Sequence, residues 1–386
     1  MKKKLKALTS CLMTLSLLCV SLAMFPNTAH ADVTLPATAS YVQPGKTYFI
    51  RNHQTADYIS APASASDGSK LVSGYCNTTT NVSKWKVEAI GSYYYLVNVA
   101  HPTLCINMSS DSLNSINLTL KSKGLNSSKW RFVIQTNYAE RFGTYRLDNV
   151  GSSNSKSLVD MEDIGSEKLR AVAIQNNGYA SWVFEEVLAA TSTTPARNDA
   201  APPVSHNYTY HSSGYRSGHY ARDIAPKGPS TIAKPSGGYK YPLYADKSGY
   251  LTYWTSVATI NGYSQITRIG NFATIKHSDG TGVLYAHMNA FGNNCSTPQY
   301  PSIAGADKPF NPVMQSSQIY VKRGQRIGFL GQTGSVYTST DTNNHVHIEY
   351  FNNYDQAWGN TSKWVYSSTY NSNVRDPKNY MKMWWA

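Results

Sequence analysis

Residues that could bind and use a metal ion are concentrated in the second half of the chain. His219 and Asp223 lie four positions apart, and His287 ends an apolar, strand-like run. His345 and His347 alternate within the sequence NHVHIEY, whose β-branched and aromatic residues favour a strand. On a strand both imidazoles project from the same face. This spacing suits one metal ligand beside one catalytic base.

Each of these patterns is weak by itself. Ten histidines in 386 residues produce about 0.3 His-x-His pairs by chance. For any single histidine the alternative is a buried or surface side chain that is hydrogen-bonded to the backbone. The order of the histidines and their surroundings, taken together, are more informative.

The segments around the histidines resemble those of the lysostaphin-type (LytM-like) zinc endopeptidases of peptidoglycan, over roughly 215–350. The glycine-rich stretch 321–334 could instead belong to a dinucleotide-binding fold, but no helical pattern follows Gly334. Asn343 and Asn344 stand where this family usually has Gly-Pro. The matching stretches are DIAPKG (223–228), YPLYA (241–245), GNFATIKH (270–277), LYAHM (284–288) and VKRGQRIGFLGQTG (321–334).

The resemblance implies a role for each candidate residue. His219, Asp223 and His347 would bind one Zn²⁺ per chain, and His287 and His345 would be the catalytic pair. Two imidazoles and one carboxylate leave one open position on a tetrahedral zinc. Such a site activates water and polarises a scissile carbonyl. One of the two remaining histidines would act as the general base and the other would stabilise the oxyanion, and the sequence leaves open which does which.

Two further features of this half have alternative interpretations. Glu349 shares the strand face of His347 and is an alternative base, but the resemblance gives it no catalytic part, so we predict a structural role. The proline-containing stretch 289–318 is longer than the family core needs. It either forms a wall of the substrate groove or is a passive surface insertion. Cys295 within it is predicted to be inert.

The first half contains three copies of one unit. The segments YFIRN, YYLVN and YRLDN are each followed by a Ser-x-Trp-like ending. Three copies at one period indicate a repeated supersecondary unit, and the short alternating runs between Gly, Asn and Ser indicate strands. The copies begin at Tyr48, Tyr94 and Tyr145 and end at Trp85, Trp130 and Trp182.

These copies resemble the ricin-type β-trefoil lectins, whose repeats end in Gln-x-Trp, although the Gln is replaced in all three. The resemblance implies sugar binding by Asp160 and Asn107, with Ser60 as the weakest equivalent. A carboxylate can accept hydrogen bonds from two sugar hydroxyls. The alternative is a trefoil that serves only as a spacer and keeps its Trp residues as core.

The predicted organisation begins with an export signal. Lys residues at positions 2, 3, 4 and 6, an apolar stretch to Phe25 and the sequence Ala-His-Ala before Asp32 predict a signal peptide. A retained anchor is the alternative. A Thr/Ala/Pro-rich run predicts an exposed linker. The predicted segments are a signal peptide at 1–31, an N-terminal segment at 32–44, a trefoil lectin domain at 45–187, a linker at 188–204 and a metallopeptidase domain at 205–386.

Composition and charge limit the kinds of partner that the protein can be expected to bind. Residues 45–187 hold 14 Lys/Arg and 12 Asp/Glu, whereas 205–386 hold 16 and 8, so the basic character belongs to the second part. A basic surface attracts polyanions. Export favours an anionic cell wall over nucleic acid, and we predict no nucleic-acid partner. No apolar run of about 20 residues follows the signal, so we predict no stable membrane insertion after its cleavage.

The sequence therefore predicts an all-β protein with an N-terminal β-trefoil and a C-terminal antiparallel β-sheet metallopeptidase domain. We expect a secreted or cell-wall-associated zinc endopeptidase that cleaves peptidoglycan peptides and is targeted by a trefoil that binds cell-wall or other glycans. Two alternatives remain. One is a non-catalytic cell-wall-binding regulator, and the other is a secreted lectin-protease that acts on other extracellular proteins.

Overall fold

Short strands make up most of the regular structure in a computed structural model of the chain. Their sheet pairings are antiparallel, so the predicted all-β class is confirmed. The structure describes residues 42–109, 115–135, 144–152, 156–161, 169–189, 198–204, 209–217, 219–226, 241–292, 295–298, 300–305, 308–337, 343–358 and 368–381.

The first sheet contains twelve strands and closes on itself. Its strands are β1 Thr47–Asn52, β2 Tyr58–Ser60, β3 Val72–Gly74, β4 Trp85–Ile90, β5 Tyr93–Asn98, β6 Leu104–Met108, β7 Ser115–Ser122, β8 Trp130–Ile134, β9 Tyr145–Asn149, β10 Lys156–Asp160, β11 Leu169–Ala173 and β12 Trp182–Glu186. Six of them form a ring, because β1 pairs with β4 and β12 while β5, β8 and β9 complete the circuit. The others form three hairpins, β2–β3, β6–β7 and β10–β11. A six-stranded ring with three hairpins is a β-trefoil, as the resemblance of the repeats to ricin-type lectins implies.

The three repeat-ending tryptophans occupy equivalent places in the trefoil core. Trp85, Trp130 and Trp182 are completely buried. Each indole Nε1 donates to a backbone carbonyl in the hairpin of its own repeat, at 2.8, 3.0 and 2.9 Å respectively. A buried indole N–H needs such a partner. The Trp period in the sequence therefore reflects both packing and hydrogen bonding.

The second sheet has nine strands in the order β13-β14-β23-β18-β17-β16-β20, with β21 beside β16 and β24 beside β23. Strands β15, β22 and β19 form a smaller sheet. These strands are β13 Thr209–Ser213, β14 Arg222–Pro226, β15 Pro242–Tyr244, β16 Gly249–Ile260, β17 Tyr263–His277, β18 Gly282–Ala286, β19 Ala290–Phe291, β20 Pro312–Met314, β21 Ile319–Val321, β22 Arg326–Phe329, β23 Val346–Phe351 and β24 Val374–Arg375. Among the residues described after β23 are two short helices, α1 Tyr354–Trp358 and α2 Ser368–Asn373.

The two faces of the nine-stranded sheet have different cores. On β23, Val346, Ile348 and Tyr350 pack into one apolar cluster, whereas Phe351 packs into another with residues of both helices. Successive side chains of a strand alternate between faces. His347 and Glu349 therefore lie on the face of Phe351, as the alternation predicts.

The predicted linker is only partly exposed. Among its described residues, Ala200, Ala201 and Val204 are buried, which corrects the prediction for this part. The reason is that the main chain here is bound by a buried arginine: Arg323 donates to the carbonyl oxygens of Asp199 (3.1 Å) and Ala200 (2.8 Å). The predicted division into two domains stays a proposal, since both sheets belong to one compact unit, Val33–Ala386.

The predicted signal peptide at 1–31 and residues 32–41 of the following segment lie outside the described residues. In the part of the chain that is described, no helix is long and apolar enough to cross a membrane.

Candidate metal centre

Strand register brings the candidate ligands together. Asp223 on β14 lies directly opposite His347 on β23. On the other side of β23, Ala286 of β18 lies opposite His347, so the next residue, His287, emerges beside the same point. His219 lies in a tight turn before β14, where its backbone N–H and carbonyl both pair with Arg216 at 2.9 Å.

His219, Asp223 and His347 form a compact donor set. Each contributes one ligand atom, and these atoms lie within 4.8 Å of one another. Asp223 is between the two imidazoles, with Oδ2 at 3.2 Å from His219 Nε2 and Oδ1 at 3.0 Å from His347 Nδ1. All three side chains keep partial exposure. Two nitrogens and one carboxylate that remain accessible match the donors of a catalytic zinc site with an open position.

A second layer of hydrogen bonds orients both imidazoles. The other nitrogen of His219, Nδ1, donates to the Gly214 carbonyl at 2.9 Å. The other nitrogen of His347, Nε2, donates to Glu349 Oε1 at 3.0 Å. Such outer partners fix the tautomer and the ring orientation of metal-binding histidines. The donor set and its outer partners therefore fit a zinc ion.

The electrostatics of the donor set favour a cation. Burial raises the pKa of Asp223, but hydrogen bonds from His219 and His347 outweigh it and hold that pKa well below its usual range. Burial lowers the pKa of His347, but hydrogen bonds to Asp223 and Glu349 raise it to about 10. The carboxylates of Asp223 and Glu349 thus stabilise a positive charge on His347 between them. A bound metal ion would place its positive charge in the same region.

The predicted catalytic pair lies beside the donor set. The ring centroids of His287 and His345 are 4.9 Å apart, and that of His287 is 5.9 Å from His347. The Nδ1 of His287 bonds to the Thr333 carbonyl at 2.8 Å, and that of His345 to the Asn343 carbonyl at 2.9 Å. These bonds place the proton on Nδ1 and leave Nε2 as the basic nitrogen in both rings.

Burial keeps both of these histidines neutral. It lowers the pKa of His287 well below its ordinary value, and the neighbouring His345 adds to the effect. It also lowers the pKa of His345, against the raising influence of Asp223. Two neutral imidazoles beside a metal site are able to accept a proton.

His287 has a backbone conformation that needs support. Its φ is 62°, a left-handed value that is uncommon for residues other than glycine. The loop after β22, which contains Thr333 and Gly334, packs very closely against β17. A Cβ on Gly334 would lie 2.3 Å from the Arg268 carbonyl oxygen, and a Cβ on Gly270 would lie 2.3 Å from Thr333 Oγ1. The glycine-rich stretch therefore allows Thr333 to reach His287, and the sequence alone did not single out Thr333.

The contacts of Glu349 favour the structural role that the sequence predicts. It is buried, and its Oε1 accepts the hydrogen bond from His347. Its Oε2 accepts a hydrogen bond from the Tyr370 hydroxyl. Both oxygens are thus engaged, which opposes a role for Glu349 as the base. No sequence signal pointed to Tyr370.

The insertion 289–318 packs beside the glycine-rich stretch. Its Ser302 hydroxyl accepts from the Gly334 backbone N–H at 3.2 Å, and its Pro309 carbonyl accepts from Thr267 at 2.6 Å. It is therefore joined to the loop that holds His287. Burial raises the pKa of the Cys295 thiol, which disfavours the reactive thiolate and agrees with the predicted inertness.

The two residues predicted to bind sugar are buried in the trefoil. Asp160 Oδ2 accepts hydrogen bonds from Thr55 (2.6 Å) and Ser73 (2.9 Å). Asn107 Oδ1 accepts from the hydroxyls of two adjacent serines at 2.7 and 3.0 Å. Exposure is 0% for Asp160 and 2% for Asn107. Burial and internal hydrogen bonds argue against direct glycan contact by either side chain.

Comparisons with known proteins give matches of fold only. No protein-family profile matches the chain, and no curated protein matches it by sequence. Similar solved structures include the designed threefold-symmetric protein ThreeFoil (17% identity, 36% of this chain and 96% of that one, TM-score 0.30). They also include the Rhizoctonia solani agglutinin (16%, 38% and 99%, 0.31) and a ricin B-like lectin of Macrolepiota procera in complex with lactose (15%, 38% and 98%, 0.31). These scores are too low to bear on function, and the trefoil is established by its own strand pairing.

Proposed function

We propose that the chain is a zinc-dependent endopeptidase that hydrolyses peptide bonds of bacterial peptidoglycan. The observation that carries the proposal is the cluster of His219, Asp223 and His347, with His287 and His345 beside it. The choice of peptidoglycan as substrate rests on the sequence resemblance of 215–350 to the lysostaphin-type endopeptidases.

Each residue has a task in this proposal. His219, Asp223 and His347 would hold the metal, which when bound supplies Lewis-acid polarisation of a carbonyl and a water of lowered pKa. The neutral His287 and His345 present a basic Nε2, so either can take a proton from the attacking water. The resulting imidazolium can donate that proton to the departing amine, and the other histidine can hydrogen-bond the developing oxyanion.

The trefoil is proposed to attach the enzyme to glycans, which raises its effective concentration at the wall. Because Asp160 and Asn107 are buried, exposed side chains must make the contacts. Tyr75 directly follows β3, and 80% of its surface is exposed, the largest value among the large apolar side chains of the described residues. An exposed aromatic ring on a hairpin suits stacking on a sugar. Replacement of Tyr75 by Ala should weaken pull-down of the protein by insoluble peptidoglycan.

The decisive experiment is mass spectrometry of muropeptides released from purified peptidoglycan. The wild-type protein should create new free amines on stem or cross-bridge peptides. A chelator or His345→Ala should abolish them, whereas His101→Ala, in the trefoil, should not. New reducing sugar ends without free amines would refute the proposal. Cleavage of casein in preference to peptidoglycan would instead support a protease of other extracellular proteins.

A further inference from the structure

The last described segment, 368–381, contacts all three parts of the chain that carry candidate zinc ligands. We call this segment the C-terminal brace. It contains α2, β24 and a 3₁₀ turn at Pro377–Asn379. None of its residues belongs to the ligand set or to the histidine pair, and the sequence resemblance ends before it.

The first contact reaches His347. Tyr370 of α2 is buried, and its hydroxyl donates to Glu349 Oε2. The other oxygen, Oε1, accepts from His347 Nε2 at 3.0 Å. A hydroxyl that fixes the carboxylate also fixes the imidazole that the carboxylate orients. Tyr370 therefore acts on the ligand through Glu349.

The second contact reaches Asp223. Its neighbour on β14, Arg222, pairs with Asp376 of the brace in a two-pronged geometry, Nε to Oδ1 at 2.5 Å and Nη2 to Oδ2 at 2.7 Å. Burial opposes ionisation of Asp376, but the hydrogen bond from Arg222 lowers its pKa. Bidentate Arg–carboxylate pairs fix geometry as well as adding energy. The pair thus holds the strand of Asp223 against the brace.

The third contact reaches the turn of His219. The Tyr215 hydroxyl donates to the Val374 carbonyl at 3.3 Å. Tyr215 follows Gly214, whose carbonyl accepts from His219 Nδ1. The brace itself is anchored, because β24 pairs with β23 and the Tyr380 ring stacks on Tyr350 at 4.7 Å.

We propose that the C-terminal brace is a positioning element for the metal site, and that Tyr370 is its principal positioning residue. The three ligands come from separate parts of the chain, so their relative placement costs conformational entropy unless the fold fixes it. The brace is joined to all three, and it thereby preorganises the donor set before the metal arrives. This inference rests on the proposed zinc site.

The test measures zinc affinity by competition with a chromophoric chelator. Replacement of Tyr370 by Phe removes one hydroxyl and should raise the zinc Kd by up to about 10-fold, the lower end of the range for loss of a group that bonds a ligand directly, because Tyr370 acts one step further out through Glu349. Asp376→Asn should act in the same direction through Arg222. The matched control is Tyr354→Phe, because that buried hydroxyl bonds to Thr274 at 3.0 Å, away from the ligands. The control should bind zinc as the wild type does.

Two further measurements separate positioning from general stability. Because each variant loses one buried hydroxyl, the metal-free Tyr370→Phe and Tyr354→Phe proteins should melt at similar temperatures, while the visible spectrum of the Co²⁺ form should change only for Tyr370→Phe. The double variant Glu349→Gln/Tyr370→Phe should bind zinc no more weakly than Glu349→Gln, because Tyr370 acts through Glu349.

The outcomes distinguish this inference from the proposed function. If wild type binds zinc tightly and both Tyr370→Phe and Asp376→Asn bind it equally well, the brace has no positioning role, although the zinc site stands. If Tyr370→Phe loses affinity only in proportion to a loss of apo stability, the inference also fails. If wild type binds no zinc, both proposals fall.

Discussion

A buried charge cluster joins the trefoil to the C-terminal region, and its central residue is Glu185. One carboxylate oxygen accepts from Arg51 Nε at 2.8 Å and from the Tyr58 hydroxyl at 2.9 Å. The other accepts at 2.8 Å from Arg323, which lies in the turn between β21 and β22. Arg51 and Glu185 are completely buried, and the Arg323 side chain is 5% exposed. The cluster therefore places one carboxylate between two buried guanidinium groups, and both of them depend on it for a counter-charge.

Replacement of Glu185 by Ala should strongly destabilise the protein. Burial and the neighbouring Arg51 lower the pKa of Arg323, but a guanidinium stays protonated near neutral pH. The variant would thus leave two buried positive charges facing each other. Removal of one partner from a buried ion pair costs about 3–5 kcal/mol of unfolding free energy. We expect a loss of that size in urea unfolding followed by tryptophan fluorescence and circular dichroism.

The adjacent residue provides a matched control. Glu186 pairs with the exposed Lys46 at 2.8 Å, and such surface pairs contribute about 0–1 kcal/mol. Glu186→Ala should therefore unfold nearly as wild type does. In a cycle with Arg323→Met, the double variant should lose much less than the sum of the single losses, because the two side chains interact directly. A loss for Glu185→Ala no greater than that for Glu186→Ala would refute this account of the interface.

Three other predictions concern the metal site and the sheet. In the metal-free protein the proton on His347, whose pKa is raised from 6.5 to about 10, stabilises the fold fully below pH 6.5 and ceases to do so above about 10. Zinc binding at pH 7 should therefore release about one proton, as measured by calorimetry in buffers of different ionisation enthalpy. Gly334→Ala should cost about 1–3 kcal/mol of stability, because of its positive φ and the nearby Arg268 carbonyl. Burial raises the pKa of Asp246, but the interaction with His277 outweighs burial and lowers that pKa below 3.8. The ionised carboxylate therefore stabilises the fold above about pH 4, and this stabilisation is lost as the pH falls. Asp246→Asn should flatten the loss of unfolding free energy in acid.

Only the local parts of the candidate metal site could be inferred from the sequence pattern, since His347 and Asp223 are 124 residues apart and only the resemblance grouped them. Strand alternation places His347 and Glu349 on one face of β23. His219 and Asp223 are only four residues apart, and Asp223 lies at the beginning of β14. The Trp period similarly predicted a repeated unit, since each indole fills the same place in its repeat, and the resemblance to ricin-type lectins implied that the unit belongs to a trefoil. Patterns of this kind depend on neighbours in the chain, so they survive without coordinates.

Contacts between distant segments could not be inferred in this way. The Thr333 carbonyl that orients His287 is 46 residues away in sequence, and a backbone atom leaves no trace in residue type. Asp160 carries a carboxylate at a lectin-like position, yet hydroxyls from the first repeat surround it. The residue type indicated a sugar ligand, whereas only the packing of the repeats reveals a buried acceptor.

The interface also bears on the proposed function, because it affects how the trefoil would direct the proposed peptidase. A flexible linker would let the trefoil tether the metal site at many orientations, and only linker length would set the effective concentration. Here Arg323 binds Glu185 of the trefoil and the main-chain carbonyl of Ala200 at the same time. The connection is thus a packed contact with buried hydrogen bonds. A glycan held by the trefoil would present peptides to the metal site from a fixed direction. Loosening the contact through Glu185 should therefore lower activity on intact peptidoglycan more than activity on a short soluble peptide, because only the anchored substrate depends on that direction.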